Sequence, residues 1–205
     1  KELSGTAAEF AALTDLYGGN PLALKLVSEP IHEVFSGNLA LFLSQGDAFF
    51  NGVGKLLSQQ FQRSTMIEQV LLYWLAIERD FTTLEALQAN AADGLLPRDI
   101  LVGLESLRRR LLVERHTHPP AFSLQPVIME YVTDQLVERI RHEVLNGQPR
   151  LLRSHAFVQA MAKDYVRQTQ EQLIATPLIE QLVRIKGGAA AVEQLLLAQL
   201  EQWRG

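Results

Sequence analysis

Apolar residues recur at three- and four-residue spacing through most of the chain, with caps and breakers between the runs, so nearly every segment is predicted to be an amphipathic helix. Ser4 or Thr6 is placed to cap a first helix that runs through Leu16 and stops at Gly18-Gly19. Asn20 and Pro21 then open a helix toward Phe35, with Pro30 expected to kink or divide it. Two shorter helices follow, Leu39 to Ser44 and Val53 to Gln62, joined by a turn rich in Gly, Asp and Asn.

From Ser64 the pattern tightens. Ser64 is expected to cap a strongly apolar helix, Met66 to Glu78, and Thr82 or Thr83 a shorter one ending near Asn90. Pro97 begins a third helix, to Arg110. Residues Leu111 to Arg115 then alternate as a strand, Thr117-His118-Pro119-Pro120 forms a turn, and Ala121 to Leu124 reads as a return strand. Three helices followed by a two-stranded hairpin make a winged helix. Pro126 starts another helix to about Leu145, and after Asn146-Gly147-Gln148-Pro149 further helices are expected over Arg150 to about Glu171, Pro177 to Lys186 and Ala189 to Trp203. This tail has no convincing fixed-period repeat and reads as a helical bundle or the start of a solenoid. The predicted fold is therefore mostly α, in three parts: a helical subdomain over 1–63, a winged-helix domain over 64–140 and a C-terminal helical bundle or linker over 141–205.

Composition bounds this picture. With 205 residues and 47% hydrophobic content the chain can bury a substantial core. Its longest apolar run, Val70 to Ile77, falls well short of the roughly 20 residues that span a bilayer, so no membrane segment is expected. The absence of cysteine removes disulfides, thiol nucleophiles and thiolate metal sites, and with no signal-peptide pattern the expected compartment is the cytoplasm. A net charge of −4 gives no global attraction to nucleic acid or anionic lipid. The chain begins at Lys1 and reads as a fragment of something longer.

Catalytic signals are weak. Gly52-Val53-Gly54-Lys55 suggests a phosphate-binding loop, but Phe49 stands where such a loop needs its first glycine and Leu56 where it needs a magnesium-ligating Ser or Thr. The histidines at 32, 116, 118, 142 and 155 form no metal signature; His116 and His118 sit two apart in the expected turn without a carboxylate or thiolate at usable spacing. No nucleophile elbow or oxyanion-hole loop is present, so the chain is not expected to be an enzyme.

Two stretches carry a resemblance. Gly19-Asn20-Pro21-Leu22-Ala23-Leu24 resembles the Gly-x-Pro-Leu motif of the NB-ARC family of STAND signalling ATPases. Phe122 to Val132 resembles the Met-His-Asp region of the winged helix in the same family, with Leu124, Gln125 and Pro126 at the three motif positions. The resemblance covers roughly residues 5–140, in the family's order of helical subdomain and then winged helix. It implies that Pro21 packs against the base of a bound ADP or ATP and that Gln125 approaches the phosphates where the family uses histidine. It also implies an upstream P-loop domain holding the nucleotide, a downstream repeat-built sensor region, and self-association on activation. No nucleotide is expected to bind the fragment tightly, because the P-loop lies outside it. Gln125 is neutral, so it offers an amide hydrogen bond to phosphate without a titratable charge.

The rival expectation is DNA binding. Arg108-Arg109-Arg110 ends the helix that reads the major groove in winged-helix regulators, and Arg98 lies in its first turn. Cations at a helix C-terminus already complement its dipole, and Asp99 beside Arg98 repels phosphate, so a protein-facing winged helix is preferred and DNA disfavoured. A non-catalytic helical interaction module is the blander alternative.

Overall fold

The computed structural model describes residues 3–16, 21–45, 53–90, 95–158 and 163–204, and it is mostly helical with one small antiparallel hairpin. The first helices are α1 (Ala7–Leu16), α2 (Pro21–Phe35), α3 (Leu39–Gln45) and α4 (Val53–Gln62). Thr6, rather than Ser4, caps α1, exchanging hydrogen bonds with Glu9 at 3.3 and 2.6 Å in a capping box. Ser4 instead pairs with the Gly37–Leu39 backbone, which pins the chain before α1 to the turn before α3. α2 runs through Pro30 undivided; a proline costs one hydrogen bond of the ladder, and the helix continues on either side of it. The Gly-Gly turn at 18–19 and Asn20 lie outside the described residues.

The middle of the chain holds α5 (Met66–Glu78), α6 (Leu84–Asn90), α7 (Pro97–Arg109), β1 (Glu114–Thr117), β2 (Pro120–Ser123) and α8 (Pro126–Leu145). α5 is buried around its whole circumference from Leu71 to Ile77, as expected for a helix with no polar face. It packs on α6, α7 and α8. Its cap corrects the sequence expectation: Thr65, not Ser64, forms a capping box with Glu68, while the Ser64 hydroxyl donates back to the Gln60 carbonyl. Between α6's two candidate caps, Thr83 accepts the Ala86 N–H, whereas Thr82 is buried and bridges the Phe122 backbone in both directions at 2.9 and 2.8 Å. The hairpin therefore gains a third short partner between α5 and α6.

The first strand lies three residues later than its alternation predicts. Leu111 takes a left-handed conformation with φ of 60°, turning the chain out of α7, and Leu112 and Val113 enter the core before pairing begins. Glu114 faces Ser123 and Thr117 faces Pro120, leaving His118 and Pro119, joined by a cis peptide, as the turn.

The tail comprises α9 (Arg150–Ser154), α10 (Asp164–Gln170), a π-helical turn (Glu171–Ala175), α11 (Thr176–Lys186) and α12 (Ala189–Arg204). The single helix expected over 150–171 is interrupted because His155 leaves helical geometry and its ring stacks on Trp74, with centroids 4.6 Å apart. Pro177 does not start a separate helix either. The ladder widens just before it, Thr176 N–H reaching the Glu171 carbonyl, and this five-residue turn lets a proline without an N–H sit inside a continuous helical run. Gly187, at φ of 81°, ends α11 in the left-handed cap that glycine adopts without strain.

Two buried glutamines dock this tail. Gln170 donates to the Ile77 carbonyl at 2.8 Å and Gln199 to the Val144 carbonyl at 2.7 Å, satisfying acceptors in the last turns of α5 and α8. α8 runs to Leu145, as its pattern predicts, and packs on α4, α5, α9 and α11. One continuous apolar core extends from Leu13 in α1 to Val192 in α12.

Candidate functional site at the hairpin and helix junction

Gln125 occupies the N-cap of α8, extended at φ −66° and ψ 150°, with Pro126 at the first helical position. Its backbone carbonyl accepts the Met129 N–H at 2.8 Å, but its side chain does not cap the helix. The amide nitrogen donates instead to Glu114 Oε1 on the facing strand. A helix N-terminus favours an anion, and beside this one the Glu114 carboxylate already occupies the Gln125 amide. A phosphate approaching Gln125 would have to displace that carboxylate.

The neighbouring side chains are held by the hairpin. His116 Nε2 hydrogen-bonds Ser123 Oγ at 2.9 Å and its ring meets Phe81 edge-on, with centroids 4.2 Å apart. His118 is exposed, and its Nδ1–H donates to the Thr117 carbonyl at 2.7 Å. The two rings are thus committed separately, and no cluster of three metal-ligating side chains occurs among the described residues.

Pro21 opens α2, as expected, and α2 packs on α3 and α4. Gln125 opens α8, which also packs on α4, so α4 is the neighbour shared by the two helices carrying the expected nucleotide contacts. Gly54 and Lys55 belong to the first turn of α4, and Gly52 lies outside the described residues.

The structure divides the four arginines. Arg98 is exposed and pairs with Asp99 at 3.4 Å. Arg108 grips Glu105 through both Nε and Nη2 at 2.8 Å, and Arg109 reaches the same carboxylate at 3.2 Å. These bonds from Arg108 and then Arg109 hold the Glu105 carboxyl down at about 2, so it stays charged and offsets part of the cation pair. Arg110 turns away from both, toward Glu68. The triplet is therefore not one basic patch. Beside it, Leu101 and Val102 are exposed on α7, and a groove of about 630 Å³ is bounded by Leu84, Leu101, Leu104, Phe122, Pro120 and Glu85.

Sequence reasoning missed three buried polar features. The Thr65-x-x-Glu68 spacing, a capping-box signature, marks Glu68 as a cap, but nothing local marks Arg110 as its partner. Burial pushes the His155 ring down to about 4, leaving it neutral between Trp74 and Ser154, and no local pattern marks that. The glutamines at 170 and 199 likewise look like surface residues on their own helices.

The scaffold is thus a mostly α protein in which three helices and a hairpin are followed by a docked helical tail. No family model matches the chain, and no solved structure matches it. It is similar to an uncharacterized WD repeat-containing protein of Nostoc sp. (strain PCC 7120 / SAG 25.82 / UTEX 2576), with 36% identity over 248 aligned residues. The match takes in 100% of this chain and 20% of that protein, so the chain spans about a fifth of the relative's length.

Proposed function

We propose that the chain is the regulatory part of a STAND-type NB-ARC ATPase, in which a P-loop domain elsewhere in a longer protein holds ADP or ATP and these residues convert the nucleotide state into a change of conformation and assembly. The observation that carries this reading is the position of Gln125: half-buried, at the N-terminus of the helix that follows the hairpin, with its amide directed at an anion. Pro21 at the first position of α2 and the WD repeats named in the Nostoc relative support it, since a repeat-built region on the same chain belongs to the proposed architecture. In the ADP state Pro21 would contact the base, and Gln125 would exchange Glu114 for a phosphate oxygen. The chain itself then performs no hydrolysis, and its partners are the nucleotide domain, the repeat region and a second copy formed on activation.

The test is nucleotide retention by the longer protein. Pro21→Ala combined with Gln125→Ala should accelerate ADP loss, and retention equal to the parent's would show those two roles to be wrong. A helical interaction module is the second reading, favoured by the exposed Leu101 and Val102 on α7, where a DNA reader would present polar side chains.

A further inference from the structure

Arg110 follows α7 and ends the arginine triplet, yet its side chain is only 21% exposed and serves other elements. Nη2 lies 2.9 Å from Glu68 Oε2 and 3.4 Å from Ser64 Oγ, and Nη1 donates to the Gln60 carbonyl at 3.3 Å. The same Glu68 oxygen accepts the Thr65 N–H at 2.7 Å. One cation thereby ties the last turn of α4, the connection over 63–65, the first turn of α5 and the end of α7. The apolar half of the joint is Phe61, whose ring meets Tyr73 of α5 and Tyr131 of α8 with centroids 5.8 and 6.0 Å away. Because α4 packs on both α2 and α8, it links the N-terminal helices to the hairpin-bearing unit.

Burying two charges costs much of what their attraction returns, but an apolar side chain at 110 alone would leave the buried Glu68 carboxylate without its cation. Arg110 even leaves its buried Nε without a hydrogen-bond partner. What the pair adds is direction and reversibility. A forked guanidinium fits its carboxylate and carbonyl acceptors in few orientations. When the joint opens, water rehydrates both charges, which lowers the cost of separation compared with a wholly apolar interface.

We propose that Arg110 is a latch: by bridging the Gln60 carbonyl and the Glu68 carboxylate it fixes the angle at which α4 meets α5 and α7, and its release lets the helices before residue 63 swing relative to the winged helix. The latch stands independently of any nucleotide, since an interaction module that changes shape would use it in the same way.

The chain lacks cysteine, so spin labels introduced at the exposed positions Ser44 and Asp134 report the angle directly by electron–electron resonance. The parent should show one narrow distance distribution. Arg110→Met should broaden it or add a second population, and should speed amide exchange at Arg63 and Ser64 by at least about tenfold while the α8 amides keep their protection. Should Arg110→Met fail to fold, Arg110→Lys keeps the charge, but its single nitrogen cannot reproduce the fork, and it should give the same two changes. A folded variant with unchanged distances and unchanged exchange overturns the latch. So does uniform acceleration of every amide, which would make Arg110 a packing residue only.

Discussion

At the scale of single residues, fit and charge decide what can change. A Cβ on Gly103 would come within 2.8 Å of Leu71 Cδ1, and Leu71 is fully buried in α5. Alanine should gain up to about 1 kcal/mol of helix propensity but overpack the α5–α7 contact. Gly103→Ala should therefore be destabilising overall, by about 1 kcal/mol, measured as a lower urea midpoint at unchanged slope. His155 gives a pH test. The residue is 3% exposed, and burial pushes its ring from the usual value near 6.5 to about 4, so the unfolded chain takes up the proton first. Its contribution to stability is intact above about pH 6.5, falls between there and about pH 4, and amounts to at most about 3 kcal/mol. The difference in stability between the parent and His155→Phe should carry that pH dependence; a pH-independent difference would remove the assignment.

At the scale of elements, the helices were legible because their caps and apolar spacing agree: Thr6, Pro97 and Pro126 mark starts, and Lys186 an end, where the structure has them. The misjudged places are those where a distant partner overrides the local pattern. His155 lies within a helical pattern but its ring is drawn off by Trp74, and β1 starts late because Leu112 and Val113 are more valuable in the core than in a ladder. Pro177 reads as a start because a π-turn cannot be seen in periodicity. At the candidate site, the position of Gln125 was legible from Pro126, whereas its Glu114 partner depends on strand register, and register follows from the hairpin turn. The tail's attachment was invisible for a similar reason, since Gln170 and Gln199 recognise carbonyls far away in sequence. Gln170→Leu should leave the Ile77 carbonyl unpaired, cost about 1–3 kcal/mol, and expose the α5 C-terminal turn to faster amide exchange. Unchanged exchange there would mean that the tail is held by packing alone.

At the scale of the whole molecule, a continuous core joins the N-terminal helices, the hairpin-bearing unit and the tail, so movement at one end has a mechanical route to the other. α4 occupies the middle of that route, in contact with the helix that begins at Pro21 and with the helix that Gln125 precedes as N-cap. No helix among the described residues is long and apolar enough to cross a membrane. The switch reading makes Pro21 and Gln125 two contacts to one nucleotide. The most direct test is to purify the longer protein containing this chain, denature it, and quantify the released nucleotide. The account predicts about one ADP per chain in the parent and a large loss in Pro21→Ala/Gln125→Ala. A parent that carries and binds no nucleotide, or a double variant that retains as much as the parent, would contradict it.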